Sequence, residues 1–188
     1  MSVSSKLTDT MVRQGIVEEE DREVYEYGIK SMIMSIIPVF FGVVFGFLVG
    51  KAIEGIIMIA TFAIIRKYAG GYHLKSGAVC LFASIVIIAV LILLGLIIEN
   101  KTMIAVVLVL SASVLFAFSP IDNENRRLED EEKKHCRRIT RLLVPVIVIA
   151  YVFFTGLRMN SNAVYLTEGM ALAAFSQILS KLEKFELS

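Results

Sequence analysis

Apolar residues fall into long blocks separated by short charged clusters, a pattern that reads as helices and not as strands. A membrane-crossing helix needs roughly 17–25 mostly apolar residues at about 1.5 Å each. Residues 29–50, 78–98 and 102–121 meet that length with ease. Residues 163–180 are adequate but enclose Glu168, residues 142–157 are a little short, and residues 52–65 are clearly short and carry Glu54. The expected fold is all-α: a polytopic membrane protein with six transmembrane helices and both termini cytoplasmic.

Charge placement supports counting the short second block. With six spans, only Lys51, Lys101 and Arg158 of the 19 basic residues fall outside, and the remainder lie on the cytoplasmic side. That is the bias expected of inner loops. Without the second span every later segment inverts and the bias is lost. Flanking Lys51 and Arg66 can snorkel to accommodate a short helix.

The first 28 residues are polar and carry seven acids, which argues against a secretory signal peptide. They read as a cytoplasmic arm. Leu7, Met11, Val12, Gly15 and Ile16 gather near one helical face, so residues 4–17 are either a surface helix on the inner leaflet or a loosely ordered arm. No repeat or linker divides the rest, and a single membrane domain over 1–188 is expected. Pro38 and Pro145 are potential kinks in spans 1 and 5.

Composition sharpens the class. Hydrophobic residues make up 56% of the chain and the mean hydropathy is +0.73, above the roughly 45–50% of a soluble domain. Nineteen basic residues against 18 acidic ones leave no surplus for nucleic acid. Two cysteines and two histidines make no disulfide framework. A zinc site from His73, Cys80, His135 and Cys136 fits no common spacing, so neither metal nor cofactor is expected.

The chemistry concentrates in residues 66–84, at the inner ends of spans 2 and 3, where one histidine and one cysteine occur together. A thiol attacks and an imidazole moves the proton, so Cys80 and His73 form the minimal nucleophilic pair. Arg66, Lys67, Lys75 and the N-terminal end of span 3 add positive potential that suits an anionic sulfur. On one straight helix the two would stand about 10.5 Å apart, too far for proton transfer. The pair therefore requires a bend, for which Gly70, Gly71 and Gly77 provide freedom, and span 3 should begin at or after Gly77. On spacing alone, Cys80 reads more readily as a small packing residue, and His73 as an interfacial polar one.

Arg66, Gly71, His73, Lys75, Ser76 and Cys80 together resemble the signature of the accessory gene regulator B family, AgrB. These are membrane peptidases that mature autoinducing peptides in Gram-positive bacteria. The resemblance extends over essentially the whole chain: its length, its spans and a later charged segment. It implies Cys80 as nucleophile and His73 as its base. It also implies positioning of substrate or loop by Arg66 and Gly71, with Lys75 and Ser76 beside them. Its implied substrate is an AgrD-like propeptide, cleaved through a thioester to give a thiolactone. It further implies a membrane-lipid setting and a homodimer.

Other polar features stay open. Residues 122–141 hold seven basic and six acidic residues, which can grip an acidic tail or anionic lipid, or form a solvated helix with internal ion pairs. Glu54 and Glu168 lie toward the outer side and suit the competing reading of a non-enzymatic transporter or channel subunit. A structural membrane subunit is a third reading. Gln177 lies toward the inner side, within reach of the motif.

Overall fold

The structure is a computed structural model that describes residues 3–72, 77–121 and 129–186, with side chains to residue 183. Every extended element among the described residues is helical: α1 (Val3–Arg13), α2 (Arg22–Leu48), α3 (Ala52–Ala69), α4 (Gly77–Ile97), α5 (Lys101–Phe118), α6 (Asp130–Gly156) and α7 (Asn160–Glu186), with one 3-10 turn at Glu19–Asp21. The chain divides into two compact units, residues 1–41 and 42–188.

The first unit contains α1, the 3-10 turn and the first part of α2. The expected 4–17 helix forms but stops at Arg13, where Gly15 takes a positive φ of 67° and its N–H reaches back to the Val12 carbonyl. Arg22 and Asp9 pair at 2.7 Å across the turn. Pro38 lies inside α2, which continues as one helix past it.

The second unit is organised around α7. Its largest interface is with α3, and α5, α6 and α4 also pack on it. Side-chain pairs show that α3 and α7 run parallel: Glu54 meets Ser161 near their starts, and Ala69 meets Gln177 near the end of α3. Residues 163–170 are buried without interruption, so α7 is enclosed on every side for two turns. One apolar cluster joins Met58, Ile88, Ile92, Ile104, Val164 and Tyr165. A second, further along α7, joins Ile65, Leu115, Val144, Leu166, Met170 and Ala173.

Four helices are long and apolar enough to cross a membrane: Glu19–Leu48, Gly77–Ile97, Lys101–Phe118 and Asp130–Gly156. Most of each apolar stretch is left uncovered by protein, which suits hydrocarbon as the surrounding solvent. The fourth is α6, although its apolar block alone looked short. Its helix continues upstream through the charged residues 130–141, started by a capping box of Glu129 and Glu132. Ion pairing within that segment is present, Lys134 to Glu131 at 2.9 Å, while residues 122–128 lie outside the described set.

α3 and α7 are not among those four, and the reason is physical. α7 is enclosed by protein and so carries Thr167, Glu168, Ser176 and Gln177 buried along it, while α3 carries Glu54 in its first turn and Arg66 and Lys67 in its last. α3 also runs four residues past its apolar block, to Ala69, giving 18 residues and a rise of about 27 Å.

Gly169 shows how closely the two helices approach. A β-carbon there would fall on the Met58 carbonyl oxygen and stand 3.0 Å from Thr61 Cβ. Gly169→Ala must therefore push α3 and α7 apart, at a cost of about 1–3 kcal/mol. A thermal melt in detergent should show a clear loss of stability. Gly156→Ala, where nothing lies within 4 Å of the added carbon, should show none.

Candidate functional site

The site grows from the end of α3. Its last turn carries Arg66, and the helix is closed by Gly70, whose N–H bonds the Arg66 carbonyl at 3.1 Å. The chain after α5 crosses here, with Ile121 N–H donating to the Ala69 carbonyl at 3.0 Å. A β-carbon on Gly70 would strike the Ile121 carbonyl oxygen, so two backbones meet where only glycine fits.

The next residues are fastened to α7. Tyr72 N–H lies 3.1 Å from the Ser176 carbonyl and 3.0 Å from Ser176 Oγ. Arg66 closes the arrangement, donating from Nη1 to Ser176 Oγ and from Nη2 to the Tyr72 carbonyl. Its guanidinium also lies over the Phe62 ring, 5.5 Å from the centroid. Gly71 fills the middle of this clamp at φ 154°, where a β-carbon would stand 2.6 Å from both Arg66 Nη1 and Ser176 Oγ.

Gln177 holds the same end from the adjacent position. Its Nε2 donates to the Ala69 carbonyl at 2.7 Å and to Ser119 Oγ at 2.8 Å, and the side chain is fully buried. Thus one dipeptide of α7 secures both the segment leaving α3 and the segment leaving α5.

Cys80 lies in the first turn of α4, half-buried and in the free thiol form. Its carbonyl accepts the Ser84 hydroxyl at 2.8 Å. Burial lowers Arg66 from its ordinary value, and the nearby Cys80 acts in the opposite direction. A guanidinium holds its proton so tightly that it remains charged through such a change. The cation is therefore permanent, close enough to feel the thiol, and anchored to the loop.

Sequence reasoning singled out six residues here. The structure brings Arg66 and Gly71 into one clamp and sets Cys80 within electrostatic reach of it; α4 is described from Gly77 onward. His73, Lys75 and Ser76 lie outside the described residues. Ser176, Tyr72 and Ser119 were not anticipated as parts of the site. Ser176 had a weak signal, a hydroxyl beside Gln177 in an otherwise apolar stretch.

The second histidine–cysteine pair has a different setting. His135 and Cys136 on α6 line a cavity of about 360 Å³ with Lys67, Tyr68, Glu131 and Glu132. Cys136 is 8% exposed and its carbonyl accepts the Thr140 hydroxyl, the position of a packing residue.

The family model for accessory gene regulator B matches residues 4–181. The chain is similar to AgrB-like protein 2 of Clostridium perfringens (strain 13 / Type A), 26% identical over 183 residues, covering 92% of this chain and 81% of that protein. It is also similar to an AgrB-like protein of Clostridium perfringens (strain SM101 / Type A), 27% identical over 147 residues, covering 72% of this chain and 66% of the relative. No solved structure matches. A family match across nearly the whole chain shows that the chain belongs to the accessory gene regulator B family, AgrB, and so takes part in processing the agr quorum-sensing autoinducer.

Proposed function

We propose that this chain is a six-span membrane cysteine endopeptidase, with both termini and the Cys80 motif on the cytoplasmic side, that cleaves an AgrD-like propeptide and closes its signal segment into a thiolactone. The supporting observation is the Arg66–Ser176 clamp on Tyr72, the residue immediately before His73, with a half-buried thiol at the head of α4 within electrostatic reach of Arg66.

In this reading Cys80 Sγ attacks the backbone carbonyl between the signal segment and the C-terminal tail. His73 takes the thiol proton and returns it to the departing amine. The tail leaves, and the signal segment remains as a thioester on Cys80. A cysteine thiol within the substrate then attacks that thioester, and its proton passes back to the Cys80 sulfur through His73. One thioester replaces another, so the exchange is nearly neutral in energy, whereas hydrolysis would dissipate the bond. The site must hold the internal thiol close and keep water out. Amides in the stretch 77–80 are the candidate oxyanion donors. Arg66 and Gly71 act as positioning residues, and Lys75 and Ser76 act on the substrate side.

The test is processing of a propeptide by purified protein in lipid, followed by mass spectrometry for the tail and for a signal peptide lighter by one water. Tail release without ring closure would retain the peptidase and remove the cyclase.

Ser176→Ala probes the clamp. It removes the Oγ that accepts from both Arg66 and Tyr72, leaving a half-buried cation short of one acceptor. About 1–3 kcal/mol is at stake, roughly a fivefold to 150-fold fall in processing rate. Helix content should remain that of the wild type. An unchanged rate would show that the clamp does not set the geometry of reaction.

A further inference from the structure

α1 takes no part in the clamp, and its 11 residues divide into three sides. Val3, Leu7 and Met11 recur at every fourth position and form an apolar strip. Lys6, Asp9 and Arg13 form a charged strip, about 130° round the helix from it. Ser4 and Thr8 make the third side. Both are buried, and the Thr8 hydroxyl donates to the Ser4 carbonyl at 3.0 Å. The apolar strip is not the side turned to protein: Val3 is 66% exposed, Leu7 is 48% exposed and Met11 is half-buried. A helix surrounded by water buries its apolar strip and leaves its hydroxyls outside. Here that order is reversed.

The attachment of α1 to α2 sets its height. Arg22, the first residue of α2, donates to Asp9 Oδ1 from Nε at 3.1 Å and from Nη2 at 2.7 Å. Asp9 stands in the middle of α1. The apolar stretch of α2 begins at Ile29, seven residues after Arg22, a rise of about 10 Å. Between them Val24, Tyr25 and Tyr27 are exposed. Tyrosines in that position mark the layer where a crossing helix meets lipid headgroups. A helix with its side chains is about 10–12 Å across, so a helix tied at Arg22 reaches into the same layer. The pair also sets orientation. It holds the charged side of α1 at the polar end of α2, and the apolar strip, about 160° round from Asp9, points the other way. Charge does not supply the attraction, because residues 3–22 carry three basic and five acidic side chains. The apolar strip has to supply it.

We propose that α1 lies flat in the headgroup layer of the leaflet at which α2 begins, with Val3, Leu7 and Met11 turned into the acyl boundary and Lys6, Asp9 and Arg13 turned to water. The partner of this surface is lipid. The inference rests on α2 crossing the membrane and is independent of Cys80.

The chain contains no tryptophan, so one introduced indole reports one position. Leu7→Trp protein would be placed in nanodiscs of phosphatidylcholine, either plain or brominated along the acyl chains; bromine quenches only an indole that it touches. Leu7 is exposed, so the indole displaces no packed neighbour. The expected result is emission that falls severalfold in brominated discs and resists acrylamide, a quencher dissolved in water. Lys6→Trp, on the charged side, should show the opposite order. Equal bromine quenching at the two positions removes the orientation and with it the proposal. Emission from Leu7→Trp that acrylamide quenches and bromine does not places α1 in water and overturns the proposal, even where a propeptide added afterwards protects it. Emission that neither quencher alters means that protein covers the strip, in this chain or in a second copy, and overturns it too. Phe40→Trp, exposed within the apolar stretch of α2, should be quenched by bromine whatever α1 does. Failure there would remove the span on which the inference rests, and so separates that outcome from a failure of α1 alone.

Discussion

Cys80→Ala is expected to abolish both products of propeptide processing, the free tail and the ring, while leaving the protein folded. Cys80 is half-buried in the first turn of α4, and among the described residues its side chain makes no hydrogen bond to lose; the bond at this residue is made by its carbonyl. Truncation to alanine therefore removes the nucleophile with little structural consequence. A nucleophile lost from a covalent mechanism costs on the order of 10³–10⁶ in rate. Cys80→Ser is the more informative partner. A hydroxyl in the same place is a far poorer nucleophile unless a base activates it, and any acyl-enzyme it formed would be an oxygen ester. That intermediate should accumulate and be visible as an intact-mass adduct carrying the signal segment without its tail. Full activity of Cys80→Ala would remove the mechanism and turn attention to Cys136.

Gly71→Ala should also be damaging, though less so than loss of the nucleophile, for a reason that has nothing to do with the reacting atoms. Two effects coincide. A φ of 154° is one that L residues rarely adopt, at a cost of order 1–3 kcal/mol. The new methyl would also stand 2.6 Å from Arg66 Nη1 and from Ser176 Oγ, well inside contact distance. The loop must move, the guanidinium must move, or both. Displacing a reacting group by about 1 Å costs roughly a hundredfold in rate, so a fall of that order is expected with helix content intact. The check is a double variant. Gly71→Ala and Ser176→Ala disable the same clamp, so their combined loss should be smaller than the product of the separate losses. Full multiplicativity would mean that the two residues act independently.

Much of this architecture is legible in the residue order, and the exceptions share a cause. Hydropathy reports which solvent a helix faces. It finds α4 and α5 because they present leucine, isoleucine and valine outward. It undervalues α7, whose Thr167, Glu168, Ser176 and Gln177 are tolerated because protein surrounds them. It shortens α6, where a run of charge continues the helix instead of ending it. The site divides in the same way. Arg66, Gly71 and Cys80 are found because their spacing is local. Ser176 is 110 residues from Arg66 and 104 from Tyr72, and no periodicity in a single sequence spans that interval. The link appears only once parallel packing of α3 and α7 brings them together.

The position of Ser176 and Gln177 also bears on how the protein is born. All the residues of the motif, from Arg66 to Cys80, leave the ribosome almost a hundred residues before the dipeptide that fastens Tyr72 and Ala69. Until α7 is inserted among its neighbours, the nascent chain holds a thiol and a histidine but no frame for the loop between them. On the proposed mechanism, completion of the bundle thus acts as the arming step: the segment leading from Arg66 toward Cys80 gains its anchor only once α7 is in place.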